Sequence, residues 1–295
     1  MAVPILLDTD IGSDIDDAVA LAYLLRQPQC ELLGITTVTG EPQKRAQLAD
    51  AVCRAFGRDD VPVFSGAARP MLVPPRQPAA PQASILPKWP HRDVFPPDTA
   101  VDFLRRTIRA RPGEITLLTI GAMTNVALLY ALDPQIPSLL KNHVMMAGHY
   151  FNRAIGYGPT EWNAAGDPHA AAAVFAAGLP GLTCIGLDVT SRCALPADEF
   201  RRRFSAGPLR IVRDMAEIWF QQRPLVTFHD PLAAAVIFDP SLCRYATGRV
   251  EVELQSTGLM GYTAFDANAK PAPHRVATEV ASERFFEHYF GVVSA

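Results

Sequence analysis

Short apolar runs alternate with stretches of helical periodicity along the first two-thirds of the chain. Runs of four to eight apolar residues bounded by turn residues predict buried strands, and apolar positions three and four apart predict helices. The predicted strands span residues 3–7, 31–37, 61–64, 115–120, 141–146 and 182–187. The predicted helices span residues 15–25, 42–56, 99–110, 124–132 and 167–177. This alternation predicts an α/β fold with a mostly parallel, doubly wound (Rossmann-like) sheet flanked by helices on both faces.

One segment interrupts this pattern. Residues 67–97 hold many of the chain's 26 prolines, so we expect a long loop without regular structure, either functional or disordered. Beyond residue 196 the pattern becomes more helical, with late strands predicted at 250–254 and 274–278. No other segment has the composition of a linker. We therefore predict one domain over residues 1–295, with the Pro-rich loop at 67–97 beside the active site.

Composition narrows the classes of partner. The net charge is −3, from 30 acidic and 27 basic residues, which gives no reason to expect nucleic acid or an anionic membrane as partner. No apolar run approaches the roughly 20 residues that span a bilayer, and the N-terminus lacks the basic region of a signal peptide. The five scattered cysteines favour buried thiols over disulfides or a zinc site. We therefore expect a cytoplasmic protein that acts on a small molecule.

Five aspartates lie within ten residues, just after the first predicted strand: Asp8, Asp10, Asp14, Asp16 and Asp17. Open α/β sheets place their ligands at the carboxyl ends of strands. Like charges packed so closely repel unless a cation neutralises them, and Ca²⁺ accepts six to eight oxygen ligands, carboxylates among them. Capping of the following helix by Ser13 or Asp14 is the alternative. Capping explains one or two of the aspartates, whereas a metal site explains all five.

At this point the sequence resembles the inosine-uridine preferring nucleoside hydrolases. The motif DTDIG at residues 8–12, followed by DDA at 16–18, is similar to the family's opening signature, with two more residues between its halves than in the best-known members. Five further motifs follow in the family's order: GITTVTG at 34–40, GAMTN at 121–125, MMAG at 145–148, EWN at 161–163 with DP at 167–168, and HD at 229–230. The resemblance extends over nearly the whole chain.

The resemblance implies Ca²⁺-dependent hydrolysis of the N-glycosidic bond of ribonucleosides. Ca²⁺ would be bound by the carboxylates of Asp10, Asp17 and Asp230 and by the carbonyl of Ile120. Asp10 would also be the general base that acts on a metal-bound water. Family members form dimers or tetramers, so the resemblance also implies a homodimer or homotetramer.

The resemblance also assigns the substrate's contacts. The ribose hydroxyls would be held by Asp16, Glu161 and Asn163, with Met146 packed near the sugar, and His229 would lie over the nucleobase. Carboxylates around the ribose suit an oxocarbenium-like transition state. Recognition of vicinal hydroxyls would reject deoxyribosides. Structural roles are the alternatives elsewhere: a core position for Trp162, a purely structural His229, and helix capping for Thr124 and Asn125.

Other positions depart from the family pattern. Glu41 replaces the asparagine of a Gly-Asn pair and is a candidate substrate contact, and His91 is the only histidine of the Pro-rich loop. The run before Glu161 is altered, which leaves Asn152 as the candidate substrate-binding residue there. Trp219 opens the stretch WFQQR, which could form a wall for a planar base or be part of an amphipathic helix. The metal and ribose half of the site thus matches the family, while the nucleobase half does not.

Three other functions compete with ribonucleoside hydrolysis. The departures above motivate a hydrolase for a modified or non-standard N-riboside. A dehalogenase-like phosphohydrolase also carries Asp-x-Asp after its first strand, but it needs Thr or Val where this chain has Gly12. A non-catalytic, calcium-stabilised nucleoside-binding protein would not need a base beside its metal. Assays for released ribose, phosphate or binding alone distinguish these functions.

Overall fold

Nine strands form one sheet through the centre of the computed structural model, which describes residues 2–294. The described residues contain eleven strands in all: β1 (Val3–Thr9), β2 (Cys30–Thr37), β3 (Val63–Ser65), β4 (Thr116–Thr119), β5 (Asn142–Met146), β6 (Leu182–Ile185), β7 (Ala194–Pro196), β8 (Leu225–Thr227), β9 (Cys243–Val252), β10 (Thr263–Asp266) and β11 (His274–Val280). β7 and β8 form a separate antiparallel pair.

Helices connect the strands and cover the sheet. They are α1 (Asp16–Arg26), α2 (Pro42–Ala55), α3 (Ala100–Ala110), α4 (Thr124–Leu132), α5 (Ile136–Leu139), α6 (Trp162–Gly166), α7 (Pro168–Ala176), α8 (Leu187–Thr190), α9 (Ala197–Arg203), α10 (Leu209–Trp219), α11 (His229–Ala235) and α12 (Ser282–Val293). Two 3-10 segments, Pro81–Lys88 and Pro240–Leu242, complete the elements.

The order of the sheet is β10-β9-β11-β6-β5-β4-β1-β2-β3. From β3 to β11 all neighbouring strands are parallel, and β9 and β10 add an antiparallel edge. The chain builds outward from β1 in one direction through β2 and β3, and in the other through β4 to β6. The sheet therefore reverses its winding between β1 and β4, which is where doubly wound folds bind ligands.

β1 shows why these residues form a central strand. Ile5 and Leu7 lie in the apolar core on one face of the sheet, while Leu6 lies in the core on the other. All three are fully buried, as expected when successive side chains of a strand point to opposite faces and helices cover both. Helices α1, α2, α10, α11 and α12 contribute to the first core, and α3, α4 and α7 to the second.

The mostly parallel α/β architecture confirms the sequence prediction, but the C-terminal region differs in detail. β9 begins at Cys243 rather than at residue 250, and β10 was not predicted. Both strands belong to the antiparallel edge, which alternates exposed and buried residues and so lacks the apolar runs of the central strands. All five cysteines are free thiols. Across residues 2–294 no helix combines the length and apolar character required to cross a bilayer.

The expectation that the Pro-rich loop lacks regular structure was wrong. It contains the 3-10 helix Pro81–Lys88, whose first turn accommodates a proline without losing a hydrogen bond. Gln82 is fully buried and anchors this helix: its backbone N–H donates to the carbonyl of Gly12, and its side chain donates to the carbonyls of Ser13 and Asp14. The loop is therefore fixed against the segment that carries the aspartates.

Candidate active site

Three carboxylates meet where α1 and α11 begin. Oxygens of Asp16, Asp17 and Asp230 lie within 4.8 Å of one another, and all three residues are buried. Asp16 and Asp17 occupy the first turn of α1, Asp230 the first turn of α11, and the two helices pack together. The backbone N–H of Asp230 donates to a carboxylate oxygen of Asp16 at 3.2 Å. Packing of the two helices thus joins residues 214 positions apart.

Burial and mutual repulsion raise the pKa of all three carboxyls. Burial is the largest cause for each of the three. Repulsion by neighbouring carboxylates raises each pKa further: Asp14 and Asp17 act on Asp16, Asp10 and Asp14 act on Asp17, and the other acidic groups act on Asp230. A buried group of this kind stays ionised only when a cation compensates it. Oxygen donors of this number and spacing fit a hard divalent cation. The residues therefore form an acidic cluster that could bind a metal ion.

Asp10 is not among these three, but it lies beside them at the end of β1. Its charge raises the pKa of Asp17 and Asp230, and its own pKa is raised by burial and lowered by Arg45. A Cβ at Gly121 would lie 2.8 Å from the backbone nitrogen of Asp10. Only glycine permits this approach, which brings the end of β4, with Ile120, against Asp10.

Glu161 and Asn163 connect the ends of β4 and β5. The Glu161 carboxylate caps α6 and accepts hydrogen bonds from the backbone N–H groups of Gly148, Asn163 and Ala164 at 2.6 to 3.0 Å. The Asn163 amide donates to the carbonyls of Ile120 at 2.9 Å and Met146 at 3.0 Å. Both side chains are buried. Four residues to which the sequence assigned metal or ribose contacts thus share one hydrogen-bonded group.

Asp8, the first of the five aspartates, is hydrogen-bonded away from the acidic cluster. It accepts from Thr36 at 2.5 Å and from the amide of Asn125 at 2.7 Å, and burial raises its pKa to about 7. Asn125 also accepts from the backbone N–H of Ala67, at the start of the Pro-rich loop. Asp8 therefore joins β1, β2 and α4 beneath the site.

The capping interpretations were wrong. Neither Thr124 nor Asn125 caps α4, because Thr124 donates to Asp167 and Asn125 to Asp8. Neither Ser13 nor Asp14 caps α1, where no side-chain cap exists. Ser13, Thr124 and Asn125 instead bond to residues that are distant along the chain. Asp14 accepts from the backbone N–H of the adjacent Ile15.

Arg45 is a buried residue of the site that the sequence interpretation missed. Its guanidinium donates to the carbonyls of Asp10, Ile11, Thr39, Gln77 and Ala79 and to the hydroxyl of Ser13. The side chain is fully buried on α2. One signal was available: Arg45 precedes Leu48, Ala49 and Val52 at helical spacing, so it lies on the apolar face. A charged residue on such a face requires buried partners.

His229, at the start of α11 and next to Asp230, contacts two side chains. Its Nδ1 lies 2.6 Å from the Thr190 hydroxyl, and its Nε2 lies 3.3 Å from the Tyr157 hydroxyl. The rings of Tyr157 and His229 meet edge to face, with centroids 5.8 Å apart. Burial lowers the pKa of His229 to about 4, so its imidazole is neutral at physiological pH. Neither Tyr157 nor Thr190 was singled out from the sequence.

The Pro-rich loop closes over Asp10. Arg76, Gln77 and Trp162 help line a cavity of about 10 Å³ together with Asp10, Thr39 and Asn163, a volume that holds about one water. The Trp162 indole N–H donates to Gln77 at 2.7 Å, and Arg76 lies over the Trp162 ring. Trp162 is 52% exposed, so its interpretation as a core residue was wrong.

Three further candidate substrate contacts, Glu41, Trp219 and Asn152, form hydrogen bonds outside the acidic cluster. Glu41 accepts from the backbone N–H of Ala80 and pairs with Lys44, which lowers its pKa. Trp219 donates to the carbonyl of Leu225. Asn152 is exposed and lies 3.4 Å from the Tyr262 hydroxyl. The hydrogen bonds of these three side chains join them to the loop or to neighbouring surface segments rather than to the acidic cluster.

Comparison with known proteins agrees with this geometry. The family described as inosine-uridine preferring nucleoside hydrolase matches residues 5–287. The pyrimidine-specific ribonucleoside hydrolase RihA of Citrobacter koseri is 30% identical over 296 residues, 90% of this chain and 89% of that protein. Uridine nucleosidase 1 of Arabidopsis thaliana is 29% identical over 286 residues, 90% and 82% of the two chains.

Solved structures show the same fold. The purine-preferring ribonucleoside hydrolase from Gardnerella vaginalis superposes with a TM-score of 0.86 at 25% identity, over 99% of this chain and 98% of that one. A plant nucleoside hydrolase superposes with a TM-score of 0.84 at 24% identity, over the whole of both chains. The chain therefore belongs to the inosine-uridine preferring nucleoside hydrolase family, whose members are enzymes acting on N-glycosidic bonds.

Proposed function

We propose that this protein is a Ca²⁺-dependent hydrolase of ribonucleosides that releases ribose and the free base. The observation that carries the proposal is the buried group of Asp16, Asp17 and Asp230 with Asp10 beside it. A purely structural metal site needs no additional carboxylate next to its ligands. A hydrolase does, because a positioned base is required to take a proton from the attacking water.

The acidic site also suits the charge that develops on the sugar. Cleavage of an N-glycosidic bond passes through an oxocarbenium-like state, so fixed negative charge near the ribose stabilises the transition state more than the ground state. Glu161 and Asn163 are held rigidly by backbone contacts, which is the pre-organisation that such electrostatic stabilisation requires. In this proposal Asp16, Glu161 and Asn163 hold ribose hydroxyls, Met146 packs against the sugar, and Asp10 accepts the proton.

Asp10, Asp17, Asp230 and the Ile120 carbonyl are the proposed Ca²⁺ ligands. Asp16 lies within the same group of carboxylates, so we propose that it contacts both the metal shell and the ribose. When bound, Ca²⁺ supplies the positive charge that lets these buried carboxylates remain ionised. The proposed homodimer or homotetramer and the cytoplasmic location stay predictions from the sequence.

Two substrate preferences remain as proposals. The named relatives include pyrimidine-specific, uridine and purine-preferring enzymes, so common ribonucleosides are the first candidates. The altered nucleobase half, with Tyr157 against His229 and Glu41 tied to the Pro-rich loop, supports a modified or non-standard N-riboside as the second.

The experiment is release of reducing sugar from inosine, uridine, cytidine, adenosine and modified ribosides, with Ca²⁺ and after chelation. We expect ribose from at least one substrate, loss of turnover with chelator, and recovery when Ca²⁺ is restored. Efficient cleavage of the common set would exclude the special-substrate proposal. Phosphate release from nucleotides without ribose release would indicate the phosphohydrolase, and binding without turnover would indicate the non-catalytic protein.

A further inference from the structure

Tyr157 combines exposure with a defined polar contact. It is 41% exposed, although large aromatic side chains are commonly buried. Its hydroxyl makes a long hydrogen-bond contact of 3.3 Å with Nε2 of His229. The phenol is therefore held in direction by His229 but is free to form a further hydrogen bond on its open side.

The position of Tyr157 places it near the acidic residues of the site. It stands in the segment between β5, which ends at Met146, and Glu161, the cap of α6. Burial raises the pKa of Tyr157, and the charges of Asp14 and Asp16 raise it further, whereas a hydrogen bond with Thr227 lowers it. The phenol thus lies within electrostatic reach of the acidic cluster and stays protonated near neutral pH.

A chain of hydrogen bonds can orient the phenol proton. If the Thr190 hydroxyl donates to Nδ1 of His229 over their 2.6 Å contact, Nε2 carries the ring proton and donates to the Tyr157 oxygen. The Tyr157 O–H then has no acceptor on His229 and points away from the imidazole. The O–H is then available to an acceptor other than His229.

We propose that Tyr157 is the residue that donates a hydrogen bond to the departing nucleobase, with His229 and Thr190 as positioning residues. This inference rests on the proposed function. As the C1′–N bond breaks, its electron pair moves onto the base, and the Tyr157 O–H stabilises that charge. Water oxygen bonds to C1′, Asp10 takes the water proton, and the base gains its proton from Tyr157, which solvent reprotonates.

The test compares leaving groups that differ in their need for a proton. We expect Tyr157→Phe to lower kcat on a cleaved ribonucleoside about 100-fold, the lower range for loss of a general acid. Turnover of 4-nitrophenyl β-D-ribofuranoside should change by less than about threefold, because nitrophenolate leaves without a proton. Thr190→Val should lower the ratio of the ribonucleoside rate to the nitrophenyl riboside rate by about tenfold, because it removes the hydroxyl that selects the tautomer of His229.

Tyr130→Phe is the matched control. Tyr130 also pairs with a histidine, with its hydroxyl 3.0 Å from Nδ1 of His143 and the rings edge to face, but this pair lies in the core. Its loss should leave the ratio of the two rates unchanged.

The outcomes separate the two proposals. Equal loss on both substrates, or no loss on either, would overturn the role of Tyr157 while leaving the hydrolase intact. If the unaltered enzyme released ribose from neither substrate, the proposed function would fail, and the role of Tyr157 with it.

Discussion

The two halves of the candidate site are built in different ways. The acidic half consists of side chains at strand ends and in first helical turns, on elements packed against both cores. The proposed nucleobase half consists mostly of loop residues, Arg76 and Gln77 from the Pro-rich loop and Tyr157 from the segment before α6, together with His229 at the start of α11. The side chains of the acidic half are therefore positioned by the sheet and its helices, and those of the nucleobase half by contacts between loops.

This difference has a physical consequence for function. Residues on strands and helices are fixed by the packing of whole elements, so their geometry changes little when surface residues vary. Residues on loops are fixed by a few hydrogen bonds and tolerate substitution. We therefore expect the chemistry of ribose cleavage to reside in the first half and the choice of base in the second.

The largest effect should come from the acidic half. Asp10→Asn should keep the fold and most ribose binding, yet lower kcat by about 10³-fold or more, because the base is lost. Steady-state rates and a thermal melting curve would test this prediction. Asp14→Asn, in the same loop but half-exposed, should lose far less activity. A near-normal rate for Asp10→Asn would remove Asp10 from the mechanism.

Arg45 connects the halves, and its loss should mainly reduce stability. Arg45→Met leaves five carbonyls and a hydroxyl without their common donor, which should lower the free energy of unfolding by about 3 kcal/mol. Chemical denaturation would measure this change. Arg54→Met is the control, since Arg54 is partly exposed and its partner Asp50 keeps a second arginine, Arg92, so its loss should cost little. Equal changes in the free energy of unfolding for the two variants would show that the buried contacts of Arg45 add no stability.

Protons should compete with the metal. Burial and repulsion raise the pKa of Asp16, Asp17 and Asp230, and that of Asp14 to about 6. Raised pKa values mean that the metal-free folded protein binds protons more tightly than the unfolded chain. Its stability therefore increases as the pH falls toward the unfolded pKa values. Apparent Ca²⁺ affinity should therefore fall as the pH falls, by up to about tenfold per pH unit for each proton displaced.

Calorimetric titration of Ca²⁺ at several pH values would measure this dependence. Asp102→Asn, which removes an exposed carboxylate on α3, should leave the slope unchanged. An affinity independent of pH would mean that the cluster is already ionised without metal.

The smallest effect should come from the loop contact over the cavity. Trp162→Phe removes the 2.7 Å hydrogen bond to Gln77 but keeps the ring beneath Arg76. Loss of one exposed hydrogen bond should raise KM about threefold with kcat unchanged. Asn152→Ala, which removes a 3.4 Å hydrogen bond to Tyr262, should change neither constant. A lowered kcat in Trp162→Phe would instead place this contact in the catalytic step.

The sequence pointed to part of the acidic half because several of its residues are close along the chain, while the roles assigned to them stay predictions. Asp10, Asp16 and Asp17 follow a strongly apolar strand, and a position after such a strand is informative by itself. Asp230 was predicted only through the family resemblance, because it is distant along the chain and reaches Asp16 through the packing of α11 on α1. The grouping of Asp16 with Asp17 and Asp230 depends on helix geometry that sequence spacing does not give.

The nucleobase half could not be predicted in the same way. Tyr157 and Thr190 meet His229 only through tertiary contacts, and no periodic pattern marks either residue. The 3-10 helix in the Pro-rich loop depends on Gln82 and its partners near Gly12. Contacts of this kind between distant loops override local composition.

The guanidinium of Arg45 donates hydrogen bonds both to the segment after β1 that carries Asp10 and to the loop that carries Gln77. Mutations in two segments that share a buried partner have non-additive effects. Evolution of a new base preference through the loop would therefore be epistatic with the residues that set turnover. Directed evolution of this enzyme should recover paired substitutions around Arg45 more often than independent ones.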